Sequence, residues 1–262
     1  MKKSCLYLKA DLKRLFCSAR PILAVLLTVG ALLLAALEGI DWDAGVLYVF
    51  SLVMYGMPSM MILVCAAAAF ADSFCEDMEH KYLMQQLLRG SAGSYLSARM
   101  LSIFLAALFT TAMGILLFVN ILHLHLPWVG ESGVEQYENL LLSGRLKGLL
   151  ESQSFELYFL CYGMQYGVLS GILSLWAAYL SLFISNRMLV LASPMILYYF
   201  TDYLLAEIFS GKVNLGLIFS PSGSLFSEDL PAVLLVAAVA MMNFMLLGRL
   251  IAWKISPAKK CK

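Results

Sequence analysis

Charge is what this chain has least of. Only 13% of its 262 residues are Asp, Glu, Lys or Arg, against 61% hydrophobic, where soluble chains carry about a quarter charged and about half apolar. With a mean hydropathy of +0.83, the composition is that of an integral membrane protein. A net charge of +1 leaves no basic face for a nucleic acid. The short motifs of chemistry are missing too. There is no Gly-x-x-x-x-Gly-Lys-Ser/Thr phosphate loop, no Gly-x-Ser-x-Gly elbow, no His-Glu-x-x-His helix and no pair of carboxylates at mid-membrane with a basic partner. No catalytic residue and no cofactor site follow from the sequence, and ATP, if used, is bound elsewhere. Cysteines are present but badly placed for disulfides. Cys5, Cys17, Cys75 and Cys261 fall on the side that the charge pattern makes reducing, and Cys65 and Cys161 fall within spans.

What is present is a set of long apolar runs. Six reach the ~20 residues needed to cross a hydrocarbon core of ~30 Å: 21–37, 46–71, 100–122, 157–184, 188–209 and 231–253. The expected fold is therefore an all-α membrane protein with six transmembrane helices. Residues 1–20 are polar and basic with no small-residue cleavage site, so the first run is expected to be a retained helix. Placing both termini in the cytoplasm leaves only Arg145, Lys147 and Lys212 outside and the other fifteen of 18 Lys and Arg inside, which the positive-inside rule favours. A multi-pass protein of the cell (inner, cytoplasmic) membrane is expected, with a short cytoplasmic tail at 254–262.

Between these runs the polar residues are patterned. Leu8, Leu12, Leu15 and Phe16 alternate at helical spacing with Lys9, Lys13 and Arg14 and stop at Pro21, which suits either an interfacial elbow helix or a solvated basic start. Gly163, Gly167 and Gly171 make a strip at i, i+4, i+8 on which another helix can pack, within the chain or between protomers. Asp202 and Glu207 lie near the outer end of the fifth run among tyrosines, as candidates for a cargo path or as carboxylates that snorkel to water. The loop 123–156 carries Leu142, Leu146, Leu149 and Leu150 at helical spacing, which predicts a surface helix. His123 and His125 stand two apart with no third ligand at fixed spacing, so no metal site is assigned. Residues 213–226, apolar but broken by Gly216, Pro221 and Gly223, suit a hairpin that does not cross.

The segment 72–99 is a dense polar stretch between the second and third runs. Tyr82, Leu83, Leu87 and Leu88 form an apolar patch bracketed by Glu79 and Arg89, the pattern of an interface anchor with a charged rim. It can equally pack back on the basic N-terminal helix.

Six spans, an N-terminal elbow, this cytoplasmic segment and a broken hairpin before the last span together resemble the membrane subunit of an ABC-2 type transporter, the permease of a bacterial ABC exporter. In that resemblance Glu76, Asp77 and Glu79 look like the acids after the second span, Leu87-Leu88 the helix, 90–94 the turn, Arg99 the basic head of the third span, and Ser220-Pro221 the proline before the sixth. Lys81-Tyr82 replaces the usual Gly-Thr, and the outer loop after span three is longer than usual. The resemblance implies a cytosolic ATP-binding subunit docked on the coupling residues Glu76 to Arg89, a second permease subunit, identical or related, and export of an amphiphile, peptide or drug. The alternatives are a polytopic membrane enzyme, or an accessory or sensor protein.

Overall fold

The computed structural model describes residues 2–37, 45–56, 58–79, 92–184, 186–211, 213–221 and 229–255. Over these the chain is helical, with no strand among the described residues. Helix α1 (Lys2–Phe16) turns through 17–19 into α2 (Arg20–Leu37), with Pro21 in the first turn, where its missing N–H costs nothing. Next come α3 (Val46–Tyr55), α4 (Pro58–Phe70), α5 (Ser73–Glu79) and α6 (Ala92–His123). The loop after α6 holds α7 (Val134–Ser143) and α8 (Lys147–Glu151). The chain ends with α9 (Phe155–Leu180), α10 (Arg187–Ile208), α11 (Leu215–Phe219) and α12 (Asp229–Ile255).

Among the described residues, five stretches are long and apolar enough to cross a membrane: Arg20–Leu37, Pro58–Cys75, Gly93–His123, Arg187–Ile208 and Asp229–Lys254. By length and composition this is a multi-pass membrane protein. Helix α9, expected as the fourth span, is not among the five. Its 26 residues span about 39 Å at 1.5 Å per residue, but four tyrosines and Gln165 dilute its hydropathy. Those side chains are tolerated because α9 is the hub of the bundle, packed against α4, α6, α10 and α12.

The run 46–71, expected as one span, is two helices. Gly56 is extended at φ −89° and ψ 179°, and Pro58 opens α4, where its fixed φ suits a first helical position and its missing N–H costs nothing. The start of α3 is pinned at the far side: Val46 N–H donates to Pro127 O at 2.9 Å and Leu47 N–H to Trp128 O at 3.2 Å, satisfying donors that a helix start leaves unpaired. Gly45 permits that approach, because a Cβ there would sit 2.3 Å from Gly130 N. The single surface helix expected in 123–156 is likewise two, divided where Leu146 adopts φ +58°.

Two apolar cores stack along the bundle. Phe50, Phe118, Phe159 and Tyr162 mark the one at the loop end, with Phe50 edge-on to both Phe159 and Tyr162 at 4.9 and 4.8 Å. Leu15, Phe70, Phe74, Met100 and Leu247 mark the one at the α1 end. Helices α10 and α12 flank them with only 17% of their spanning windows buried.

Candidate functional sites

At the α1 end, four charged side chains meet around the buried Arg99 and Asp77, with Asp11 mostly covered and Arg14 partly exposed. Arg99 is 1% exposed. Its Nη1 donates to Asp11 Oδ1 at 2.8 Å, and its Nη2 donates to Asp77 Oδ2 at 2.5 Å and to Ser73 O at 3.3 Å. Arg14 Nη1 reaches Asp77 Oδ1 at 3.3 Å, and the Tyr95 hydroxyl donates to Asp77 Oδ2 at 2.7 Å. The guanidinium of Arg99 also lies 4.8 Å from the centre of the Phe70 ring, a cation–π contact. Two arginines balance two aspartates, so the buried group is neutral as a whole, which is the condition under which such charges are tolerated. Burial pushes the Asp11 carboxyl above its ordinary range; Arg99 pulls it back and Asp77 pushes it up further. A neighbouring pair, Arg20 with Asp72 at 3.6 Å, adds α2. The cluster thus ties α1, α5 and α6 into one block, with α1 laid against α6 by Tyr7 edge-on to Tyr95 at 5.9 Å.

Of the coupling residues named from sequence, Asp77 turns inward to this cluster and is 2% exposed. Glu76 and Glu79 are on α5, with side chains outside the described residues. Tyr82, Leu83, Leu87, Leu88 and Arg89 lie outside the described residues. Neither Asp11 nor Tyr95 was singled out by sequence; a carboxylate on the apolar face of a basic helix looks like a break in the pattern, not a partner.

At the loop end is a cavity of about 590 Å³ walled by α3, α4, α7, α9, α10 and α11. Helix α9 contributes Tyr158, Tyr162 and Tyr166 and α10 contributes Tyr198 and Asp202. The three α9 tyrosines recur at i, i+4, i+8, one residue out of step with the glycine strip, so one turn-to-turn stripe faces the cavity and the next faces α6. Tyr166 donates to Ser59 O at 3.0 Å and Tyr162 accepts from Ser220 Oγ at 3.2 Å. Asp202 Oδ1 accepts from Leu215 N at 2.8 Å and so holds the start of α11. Glu207, the other cargo-path candidate, is exposed and is not in the cavity wall. Arg145, 4% exposed, sits behind that wall: its guanidinium donates to Ser220 O, its backbone N–H donates to Pro221 O at 2.9 Å, and the next N–H, of Leu146, donates to Asp229 Oδ1 at 2.8 Å. The loop between α7 and α8 is thereby strapped to the chain on both sides of the 222–228 stretch. Burial lowers the pKa of Arg145, with Asp229 opposing.

The glycine strip faces α6. A Cβ at Gly163 would lie 3.1 Å from Ala112 Cα, one at Gly167 3.1 Å from Leu108 O, and one at Gly171 2.6 Å from the Phe104 ring. Beside the strip, the Thr111 and Ser170 hydroxyls share a hydrogen bond at 2.8 Å. His123 stacks on Trp128 with centroids 4.0 Å apart, and no group of three metal-ligating side chains occurs among the described residues.

In comparisons with family models, with curated proteins and with solved structures, nothing matches this chain.

Proposed function

We propose that the chain is the permease subunit of an ATP-driven ABC-2 type transporter, working with a second permease subunit and a separate cytosolic ATPase to export an amphiphile, peptide or drug. In this reading α9 also crosses, as the fourth of six spans, α1 is the elbow along the cytoplasmic leaflet, the segment 72–99 is the coupling element, and α11 belongs to the hairpin before the last span. The observation that carries it is the buried Asp11–Arg99–Asp77 cluster. A polar segment between two spans transmits force only if its base is fixed to the helices it must move, and Asp77 at its base is locked to Arg99 on the third span and Arg14 on the elbow. A push delivered anywhere on 80–91 therefore reaches α1 and α6 together. The cytoplasmic placement of that base follows from the distribution of Lys and Arg.

Two experiments test the reading. The double change Tyr82→Ala with Leu87→Ala is expected to abolish transport-stimulated ATP hydrolysis and ATPase co-purification while the permease stays inserted and monodisperse; an intact complex with normal turnover would remove the coupling role. For orientation, Cys75 is a poor reporter because it is 3% exposed. Cys17, which is exposed, is the better inner marker. In an otherwise cysteine-free background, Glu135→Cys should react with an impermeant thiol reagent in intact cells, and Cys17 only after permeabilisation. The reverse pattern inverts the topology.

A further inference from the structure

We propose that the cavity at the loop end is a binding site for an organic monocation, an amine or quaternary ammonium group carried on an apolar or aromatic body. Its volume of about 590 Å³ suits a drug-sized ligand. Among the described residues, Asp202 is the one Asp, Glu, Lys or Arg in the wall. Leu215 N–H occupies Oδ1, leaving Oδ2 with no hydrogen-bond partner among the described residues. Around it stand Tyr158, Tyr162, Tyr166 and Tyr198, whose ring faces carry the negative end of the aromatic quadrupole. The hydroxyls of Tyr158 and Tyr198 have no hydrogen-bond partner among the described residues, so two acceptors remain for an N–H or a polarised methyl group.

The charges outside the wall do not reverse this preference. Arg145 lies behind the wall, but its guanidinium is engaged by Ser220 O and is offset by Asp229. An anion would meet Asp202 and four ring faces with no cation among the described wall residues. A neutral ligand would bury the carboxylate without a counter-charge, which is costly away from water. A metal ion finds one carboxylate where it needs several ligands. As cargo, the cation rests on the transporter reading above; as ligand, it is tested without it.

The test is equilibrium binding of radiolabelled tetraphenylphosphonium to the purified full chain in detergent, with any associated ATPase retained. Saturable binding is expected, displaced by unlabelled tetraphenylphosphonium but not by tetraphenylborate, which has the same shape and the opposite charge. Asp202→Asn keeps the oxygen that accepts from Leu215 N and removes only the charge, so a folded variant is expected to bind about tenfold more weakly or worse. Tyr198→Phe should retain affinity and Tyr198→Leu should lose it, because the ring face is what the cation touches. The proposal is overturned by absence of saturable binding, by equal displacement with the borate, or by undiminished affinity in Asp202→Asn. Loss of ATPase co-purification bears on the transporter reading alone and leaves this measurement as it stands.

Discussion

Replacing Arg99 with methionine should destabilise the protein by about 3–5 kcal/mol, the cost of removing one partner from a buried ion pair and stranding the other. Methionine fills much of the volume but leaves Asp11 and Asp77 facing each other without the guanidinium that joins them. Arg14 alone cannot balance both, since it reaches Asp77 at 3.3 Å and is itself 43% exposed. The expected readout is a lower midpoint for loss of the monodisperse peak on heating in detergent. Adding Asp11→Asn and Asp77→Asn to Arg99→Met should recover part of that loss, because the penalty is the unpaired charge and not the missing contact area. The sign of the pH effect follows from Asp11. Its folded pKa is raised, so its contribution to stability is complete below its unfolded value and is lost as pH rises through the folded one. With Arg99 gone that dependence should steepen, and Arg99→Met should regain stability as pH falls from neutrality. If the single and triple variants melt together at all pH values, the cluster is not what holds α1, α5 and α6.

Gly167→Leu is expected to be comparably severe for a steric reason. Its Cβ would meet Leu108 O at 3.1 Å and Leu108 Cα at 3.2 Å, which are backbone atoms and cannot rotate away. The helices must separate, and the Thr111 to Ser170 hydrogen bond at 2.8 Å goes with the contact. Overpacking of this kind typically costs about 1–3 kcal/mol and sometimes more. Gly30→Leu supplies the control. A Cβ at Gly30 meets nothing within 4 Å, so that change should be neutral or slightly stabilising, since leucine is the better helix former by nearly 1 kcal/mol. Equal melting of the two variants would mean that the α6 to α9 contact contributes little.

The sequence made the long apolar runs legible because bilayer thickness sets a length that periodicity does not have to supply. It made the glycine strip visible as well, though not which helix lies against it. The break at Gly56 was hidden by hydropathy, which stays high on either side of it while the backbone leaves the helix there. The tyrosine stripe on α9 was harder to see, because Tyr158, Tyr162 and Tyr166 only become a wall when α3, α10 and α11 close the other sides. Asp11 and Arg99 are 88 residues apart; the one looked like a break in an apolar face and the other like the basic head of a span, with no sign that the two meet. Long-range pairing of opposite charges leaves no local trace in a single sequence.

The glycine contacts between α6 and α9 also divide the bundle mechanically. Two helices whose backbones come together at Gly163 and Gly167, with the Phe104 ring against Gly171 on the next turn, cannot hinge apart without losing the whole seam, and they cannot move closer. Any rearrangement of the bundle must carry them as one stiff beam. Helices α10 and α12, mostly unburied and joined to that beam along single faces, are left as the parts that can shear. Asp202 and Tyr198 ride on α10, while Tyr158, Tyr162 and Tyr166 belong to the beam. The cavity therefore has one side on the stator and another on the slider, so its width changes with their relative position.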